Sequence, residues 1–417
     1  MTKVVYVAAS SQGDMLNGLG RALGRCFSDA GYEFVELDLA SGEMALAVLK
    51  EKIIGQNVEV AFSFMGIGAD LALNGQNGQQ HRVWEECGIP FVSLYGDSPA
   101  HFFDRHVVRS SNFAALYGFP EHAALRRRLP LVNGVIGTIG SVMVDPMRRE
   151  DVDIERKRSG QLLFLKNTHN PQVLWDSWEN VLPPRMLKAI REIATYLTEN
   201  MSNPATNQID DIVVEYFANH NVDVQSLIKL RLFFISNLDH YLRYVKAAFL
   251  ANILAEFPVR IQGTGWGHVD LSNKRCTYVD SCNYQESTGL IQSSLAMIDM
   301  SPNTGLAAHD RVCRSYGAYT LCLTNRQPFF NDLPRADEFM FDFEPDAIRH
   351  CVAETIAHPD RTIEAGIEVS TCFQKKYAPD IFVSTVLELA AAIRLDRVKA
   401  QPEGLPAGFV WPPASLQ

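Results

Sequence analysis

The chain has 417 residues, of which 47% are hydrophobic and 21% are charged, a composition that excludes a disulfide-stapled miniprotein and a largely disordered chain. The net charge of −10 argues against a protein whose main task is to neutralise a nucleic-acid backbone. No apolar run is long enough to span a membrane, and the first residues lack the layout of a secretory signal. We therefore expect a soluble, cytoplasmic protein of two or three domains.

Strands and helices are predicted to alternate along residues 1–150, which we interpret as an N-terminal Rossmann-like domain. The predicted strands are Val4–Ala8, Phe34–Leu37, Val58–Phe64 and Pro90–Tyr95, and the predicted helices are Leu16–Asp29, Glu43–Ile54 and Gln79–Cys87. Such alternation is typical of a parallel sheet with helices on both faces. Ligands of these sheets bind outside the carboxyl ends of the strands, so the loops 10–17, 66–80 and 96–105 should line one crevice.

The first predicted helix contains Gly18, Gly20 and Gly24, and Asp38 ends the next strand. This arrangement is similar to a nicotinamide dinucleotide fingerprint, although about nine residues separate the first strand from the first of these glycines. Two interpretations stay open: a dinucleotide site that would make the protein an oxidoreductase, or glycines on a helix face that packs closely on the sheet.

Two loops of the first domain carry candidate catalytic groups. The segment 95–105 places Asp97 and His101 after a strand end, and Asp14 lies in the first strand-end loop. A carboxylate or an imidazole can accept a proton from a reacting hydroxyl. Asp97 has an alternative role in a turn with Ser98 and Pro99.

Two basic segments stand out in this acidic chain. Arg126-Arg-Arg128 is accompanied in the sequence by Arg105, Arg109, Arg148 and Arg149. This group is either a solvated surface or a contact to a membrane or an acidic acceptor. The charged segment 148–158 lacks an apolar period and is interpreted as a linker or as a solvated helix face.

A second domain is predicted over residues 151–400, with a helical insertion at about 171–257 and an irregular tail at 401–417. Its strands are predicted at Leu162–Leu165, Val259–Gln262, Thr277–Val279, Ala296–Asp299 and Thr320–Leu323. The inserted helices are predicted at Pro184–Asn200, Ile209–Asn219, Val224–Ser236 and Leu238–Phe257, and later helices at Tyr284–Gln292, at about Leu306–Tyr316 and up to Ala400.

Polar groups follow three successive strands of this second domain. The first strand end carries Gly263-Thr-Gly-Trp266, the next Tyr278-Val-Asp280, and the third the segment 299–305 before a helix that contains Asp310 and Arg311. A helix N-terminus with an arginine is suited to a phosphate, and an aspartate to ribose hydroxyls. Lys166-Asn-Thr-His169 follows the first strand of this domain and could reach the same diphosphate.

The residues 301–311 and 316–324, together with Gly263-Thr-Gly-Trp266, resemble the group 1 glycosyltransferases, in particular the branch related to the spore-maturation protein CgeB. The resemblance covers about residues 259–392. One departure is Tyr316-Gly-Ala-Tyr319, where the family has an Ala-x-Gly turn. Another is the lack of a clear pair of glutamates that many retaining members contain.

The resemblance implies a GT-B fold, with two Rossmann-like domains facing each other across a cleft, a nucleotide-sugar on the second domain and no metal or other cofactor. The residues that it places beside the donor are Gly263, Gly265, Trp266, Tyr278 (nucleobase), Asn303 and Thr304 (diphosphate), His309, Asp310 (ribose) and Arg311 (phosphate). The implied function is sugar transfer to a glycan, lipid-linked or protein acceptor. An NAD(P)-dependent oxidoreductase and a non-catalytic nucleotide-sugar-binding protein are the alternatives.

The eight cysteines are scattered among apolar segments and show no C-x-x-C spacing. Structural zinc sites and disulfide frameworks require closer or more regular spacings. We therefore expect reduced thiols and no metal site formed by these cysteines.

Overall fold

The computed structural model describes residues 1–9, 13–74, 79–108, 110–129, 135–272, 274–301, 303–399 and 410–411. The chain divides into two compact units. Unit 1 comprises residues 1–145 and 377–417, and unit 2 comprises residues 146–376. Each unit contains a parallel sheet with helices packed on it, which confirms the predicted α/β class with two Rossmann-like sheets.

Unit 1 is built on a sheet with strand order β15-β8-β7-β6-β3-β1-β2. Its strands are β1 (Lys3–Ala8), β2 (Glu33–Asp38), β3 (Val58–Phe64), β6 (Phe91–Tyr95), β7 (Phe113–Tyr117), β8 (Val135–Thr138) and β15 (Val410–Trp411), and a separate hairpin contains β4 (Ala72–Asn74) and β5 (Gln80–Arg82). The four central strands β1, β3, β6 and β7 are almost wholly buried because helices cover both faces.

The helices of unit 1 are α1 (Gly13–Asp29), α2 (Glu43–Val48), α3 (Val83–Glu86), α4 (Pro120–Arg128) and α15 (Pro379–Lys399). Three predictions for unit 1 differ from this result. The segment 79–87, predicted as one helix, forms β5 and the short α3, and a π-helical turn over Leu49–Ile53 follows α2. The tail, predicted to be irregular, contributes β15, which pairs with β8.

Helix α15 packs in unit 1, although the sequence places residues 151–400 together in the second domain. Its Phe382 ring contacts Phe27 and Phe62, with ring centroids 5.7 and 6.1 Å apart. The Arg394 guanidinium also donates to the Glu59 carbonyl oxygen at 2.6 Å. These contacts bury an apolar helix face that would otherwise meet water, which explains its place in unit 1.

Unit 2 has the strand order β11-β10-β9-β12-β13-β14, and all its pairs are parallel. The strands are β9 (Leu162–Leu165), β10 (Val259–Gln262), β11 (Thr277–Val279), β12 (Ala296–Asp299), β13 (Leu321–Asn325) and β14 (Met340–Phe341). If the strands are renumbered from 1 at β9, their order in the sheet is 3-2-1-4-5-6, which is the order of a dinucleotide-binding sheet. Successive strands are added toward one edge from β9 to β11 and toward the other edge from β12 onward, so the strand order reverses between β9 and β12.

The helical insertion lies between β9 and β10, as predicted. The helices of unit 2 are α5 (Ile154–Arg158), α6 (Pro171–Val181), α7 (Pro184–Glu199), α8 (Ile209–Asn219), α9 (Ile228–Leu254), α10 (Tyr284–Ser293), α11 (Asp310–Gly317), α12 (Ala336–Phe339), α13 (Pro345–Ala357) and α14 (Pro359–Lys376). The two helices predicted over 224–236 and 238–257 are one helix, α9, because no glycine or proline interrupts the segment.

The packing of α15 predicts the effect of truncating its central ring. Phe382→Ala should lower the free energy of unfolding by about 3–5 kcal/mol, because removal of a buried ring that packs against Phe27 and Phe62 leaves a cavity. Leu395→Ala on the same helix is the control, because Leu395 is exposed. Urea denaturation of both variants measures the difference, and equal losses would contradict this packing.

Candidate functional site

The carboxyl ends of β9 and β12 define the candidate site of unit 2. These two strands are hydrogen-bonded neighbours, and the sheet reverses its order between them. Lys166 follows β9, and Asp299 is the last residue of β12. A reversal of this kind opens a crevice at the carboxyl edge, where ligands of parallel α/β sheets bind.

Arg311 is fixed in this crevice by a buried carboxylate. Its Nε donates to Asp299 Oδ1 at 2.8 Å, and Asp299 is almost fully buried. The carboxylates of Asp299 and Asp310 raise the pKa of Arg311 although burial opposes the charge. The Arg311 Nη2 atom is buried and has no hydrogen-bond partner among the described residues. Arg311 therefore offers a fixed positive charge with an unused donor.

The N-terminus of α11 adds a second source of positive potential. His309 is the N-cap residue of the helix, and its Nδ1 lies 3.3 Å from the Arg311 backbone nitrogen. The Asp310 carboxylate pairs with the His309 ring. Burial raises the pKa of Asp310, but His309, Arg311 and Arg314 outweigh burial and hold it well below its usual range. Asp310 is therefore ionised and can accept hydrogen bonds from hydroxyl groups.

Lys166 lies half-buried beside these groups. Burial, together with the charges of Arg311 and Arg243, lowers the pKa of Lys166 to about 7, while Asp299 and Asp239 oppose this shift. Near neutral pH the amine is therefore partly uncharged. An anion bound between Lys166 and Arg311 would restore its ordinary charge, because an opposite charge favours the ammonium form.

The glycine turn after β10 supports the segment that carries Lys166. Gly263 has a φ of +146° and Gly265 a φ of +85°. A Cβ at either glycine would overlap the carbonyl oxygen of Lys166 or Thr168, so only glycine permits this close approach. Backbone hydrogen bonds of 3.0 Å, from Lys166 N to Gln262 O and from Thr168 N to Thr264 O, join the two segments.

Trp266, which the resemblance places beside the donor, is buried in the structure, and its contact to a donor stays a prediction. The side chain is 2% exposed, and its Nε1 donates to the Lys166 carbonyl oxygen at 2.9 Å. The ring packs on Phe164, with centroids 5.8 Å apart. A large aromatic side chain after a tight turn gains more from this burial than from exposure to water.

Asn303 and Thr304 lie in the loop between β12 and α11, and both side chains are buried. Asn303 has a φ of +51°, and its Nδ2 donates to Asp239 Oδ1 at 2.9 Å. The Lys246 ammonium donates to Asn303 Oδ1 at 3.1 Å. The Thr304 backbone N–H donates to Ser301 Oγ at 3.1 Å. These contacts hold the loop, and the predicted contact to a diphosphate stays a prediction.

Tyr278 is the middle residue of β11, the outermost strand on one side of the sheet. Its ring is 42% exposed, and its hydroxyl donates to Asp280 Oδ1 at 3.1 Å. The predicted contact between this ring and a nucleobase also stays a prediction. An exposed ring on an edge strand is accessible to a base, which is consistent with that role.

Sequence reasoning missed the contribution of α9. Asp239, Arg243 and Lys246 lie on this helix, and Arg243 pairs with Asp239 at 2.8 Å. Their spacing of four and three residues places them on one helix face. Charged residues at helical spacing within an apolar segment were the available signal. The residues that they approach lie more than fifty positions away in the sequence.

The candidate catalytic residues of unit 1 lie on one loop and one helix, because α1 begins at Gly13 and so includes Asp14, which the sequence placed in a loop. Asp97 and His101 both follow β6, the first half-buried and the second 4% exposed. The His101 backbone N–H closes a turn on the Ser98 carbonyl oxygen at 2.8 Å. Asp14 is in the first turn of α1, and its side chain lies outside the described residues. The roles of these three residues stay predictions.

The structure changes the interpretation of the basic segment around Arg126. Arg126 is 3% exposed, and its Nε lies 3.4 Å from the His106 carbonyl oxygen. Arg126 therefore supports the interior of unit 1, whereas Arg127 and Arg128 are exposed. Arg109 lies outside the described residues. The predicted solvated run of three arginines is thus wrong for its first member.

The glycines of α1 have a packing role in the structure. A Cβ at Gly20 would overlap the Tyr6 ring, and a Cβ at Gly24 would overlap the Phe34 ring. Asp38 accepts a hydrogen bond from the Ala40 backbone N–H at 3.0 Å and so caps a turn. Close packing of the helix on the sheet therefore explains these two glycines without a dinucleotide.

All eight cysteines are free thiols. Among the described residues, no group of three or more His, Cys, Asp or Glu side chains is arranged to hold a metal ion. No helix in the described part of the chain is long and apolar enough to cross a membrane.

No protein-family model matches the chain, and no curated protein matches it by sequence. Among solved structures, the T4 phage protein BGT in complex with its UDP-glucose substrate matches 95% of this chain and 99% of its own, with 7% identity and a TM-score of 0.47. Anabaena Alr3699/HepE in complex with UDP-glucose matches 96% and 100%, with 9% identity and a TM-score of 0.46.

A third solved structure, the glycosyltransferase AviGT4 involved in avilamycin A biosynthesis, matches 91% of this chain and 98% of its own, with 10% identity and a TM-score of 0.41. Identities and scores in this range do not assign an activity. The more specific resemblance, to the CgeB-related branch, stays a prediction.

The glycine turn predicts a local effect on stability. Gly265→Ala should lower the free energy of unfolding by about 1–3 kcal/mol, since it combines an unfavourable φ with overlap on the Thr168 carbonyl group. Gly267→Ala is the matched control, because a Cβ there meets open space. Thermal unfolding of both variants tests this, and equal melting temperatures would contradict the assigned close approach.

Proposed function

We propose that the chain is a glycosyltransferase that binds a nucleotide-sugar at the carboxyl edge of the unit 2 sheet. The observation that carries the proposal is the convergence of Lys166, Arg311 and the N-terminus of α11 beside the reversal between β9 and β12. A nucleoside diphosphate carries the charge and the acceptor oxygens that this group of donors can satisfy.

The proposed chemistry depends on stabilising the diphosphate as it leaves the sugar. Negative charge develops on the bridging oxygen when the bond to the anomeric carbon breaks. Arg311 is held in place by Asp299 before the substrate arrives, so little reorganisation is needed when this charge develops. Lys166 adds a second cation when it is protonated. The ionised Asp310 carboxylate is suited to hold ribose hydroxyls.

The sugar acceptor and the catalytic base belong to the proposal as well. A hydroxyl group of a glycan, lipid-linked or protein acceptor would attack the anomeric carbon, and Asp97, His101 or Asp14 would take its proton in an inverting reaction. The exposed Arg127 and Arg128 are a candidate contact for a membrane-bound acceptor. We further propose that the protein is cytoplasmic and requires no metal ion.

Nucleotide binding to the full chain tests the donor site. UDP, GDP, ADP, CMP, TDP and NAD(H) are compared by thermal shift and calorimetry, and one nucleoside diphosphate should stabilise the protein. Lys166→Met should weaken its binding about 10- to 100-fold, since a charge-assisted hydrogen bond to phosphate is lost. Lys188→Met, which removes a cation from an exposed position on α7, is the control.

Arg311→Lys provides a second variant that keeps a cation beside Asp299 but removes the guanidinium donors. It should fold and should also bind the diphosphate more weakly. Stabilisation by NAD(H) alone would contradict the proposal and favour the oxidoreductase. If a nucleotide-sugar binds but mass spectrometry detects neither its hydrolysis nor sugar transfer, the result would favour a non-catalytic binding protein.

The lowered pKa of Lys166 predicts that nucleoside diphosphate binding takes up a proton. The amine is charged below pH 7 and neutral above it, so affinity should fall as the pH rises from 6.5 to 8.5. At pH 7.5 about half a proton or more should be taken up per site. Calorimetry in two buffers of different ionisation enthalpy measures this number, which should approach zero in Lys166→Met. Equal uptake in both proteins would exclude Lys166 as its source.

A further inference from the structure

The loop after β6 in unit 1 holds one exposed aromatic ring between buried side chains. His101 and His106 are both buried, whereas Phe102 between them is 64% exposed. Exposed Phe side chains are common as isolated residues, so exposure alone assigns no role. The way in which the loop is held provides the further evidence.

The loop is fixed on the C-terminal side of Phe102 by several contacts. The Tyr95 hydroxyl donates to the Arg105 carbonyl oxygen at 2.6 Å. The His106 ring stacks on Tyr95 with centroids 4.2 Å apart, and its Nδ1 lies 2.8 Å from the Tyr117 hydroxyl oxygen. Burial lowers the pKa of His106 to about 3, so this ring stays neutral at neutral pH. These contacts give the loop one defined conformation.

Phe102 adopts a backbone conformation that its side chain disfavours. Its φ of +54° and ψ of +47° lie in the left-handed region, which glycine and asparagine occupy more easily than a bulky residue. The ring does not compensate by filling the core, since most of it faces water. Strained residues of this kind persist when the surrounding structure holds them in place, and they cluster at active sites and ligand-binding sites.

The surroundings of the ring indicate the class of its partner. Arg105 lies over Phe102, with its guanidinium carbon 5.1 Å from the ring centroid, and Asp104 is exposed next to it. Arg105 therefore covers one side of the ring, and the exposed remainder is an apolar surface with charged hydrogen-bonding groups beside it. Such a surface suits a pyranose ring, which has an apolar C–H face and hydroxyl groups at its edge. We propose that Phe102 is a stacking platform for a sugar ring of the acceptor, with Asp104 and Arg105 contacting its hydroxyls.

Other partners fit the same surface less well. A single ring is much smaller than the apolar patch of a stable protein interface. The exposed Asp104 carboxylate disfavours a nucleic-acid backbone and an anionic membrane at this surface. A neutral sugar ring carries no charge for Asp104 to repel and needs only a small surface. This inference rests on the proposed function, because the bound sugar is an acceptor only if the protein is a glycosyltransferase. Sugar binding itself is measurable without a nucleotide.

Sugar binding to the full chain tests the platform. Maltotetraose, cellotetraose, chitotetraose and mannotetraose are titrated without nucleotide and followed by saturation-transfer NMR and calorimetry. At least one should bind, and Phe102→Ala should weaken that binding about three- to tenfold. Phe102→Trp should retain or increase the affinity, and Phe102→Leu should lie between Trp and Ala. Met44→Ala removes another exposed apolar side chain of unit 1 and should change nothing.

Several outcomes would overturn the platform. The first is that none of the four sugars binds, and the second is that Phe102→Ala binds them as tightly as the unaltered chain does. The third is that Phe102→Ala loses self-association or binding to phosphatidylglycerol vesicles. Phe102→Gly is the folding control: its melting temperature should equal or exceed that of the unaltered chain, because glycine suits this backbone. A lower value would mean that the ring supports the fold, which also contradicts the proposal.

The nucleotide panel separates this inference from the proposed function. If a nucleoside diphosphate binds but Phe102→Ala leaves sugar binding unchanged, the donor site stands and the platform is wrong. If no nucleotide binds but Phe102→Ala weakens sugar binding, the platform stands as a sugar site and the glycosyltransferase proposal fails.

Discussion

The ion pair between Asp299 and Arg311 is the interaction on which the candidate site depends. It joins the end of β12 to the first turn of α11, across a loop that contains Asn303 in a left-handed conformation. A buried carboxylate that loses its partner is strongly destabilising, so the pair fixes the direction in which the helix starts. This one ion pair thus sets both the position of the Arg311 guanidinium and the direction in which the N-terminus of α11 points.

The helical insertion extends this support from outside the sheet. Asp239 and Lys246 on α9 bind opposite ends of the Asn303 amide, which leaves little freedom to the loop before α11. The glycine turn after β10 supports Lys166 in a similar way from the other neighbour of β9. The charged groups of the site are therefore preorganised by residues that have no direct chemical role.

Five of the six strands of unit 2 could be predicted from the sequence, because each is a short segment that ends in glycine or polar residues, whereas the two-residue β14 was not predicted. Gly263 and Gly265 were recognisable for the same local reason. The contacts of Asp239 and Lys246 could not be predicted, because they depend on which helix face meets a loop far along the chain. An apolar helix face likewise does not indicate which sheet it covers, and α15 was assigned to the other unit for this reason.

The return of the chain to unit 1 has a consequence for biosynthesis. Unit 2 is one continuous segment, whereas unit 1 is complete only when residues 377 onwards have left the ribosome. Until then the surface of Phe27 and Phe62 that α15 covers stays uncovered in the nascent chain. Exposed apolar surface of this kind promotes aggregation and chaperone binding. The order of synthesis therefore makes unit 1, whose strands emerge first, the last to finish folding.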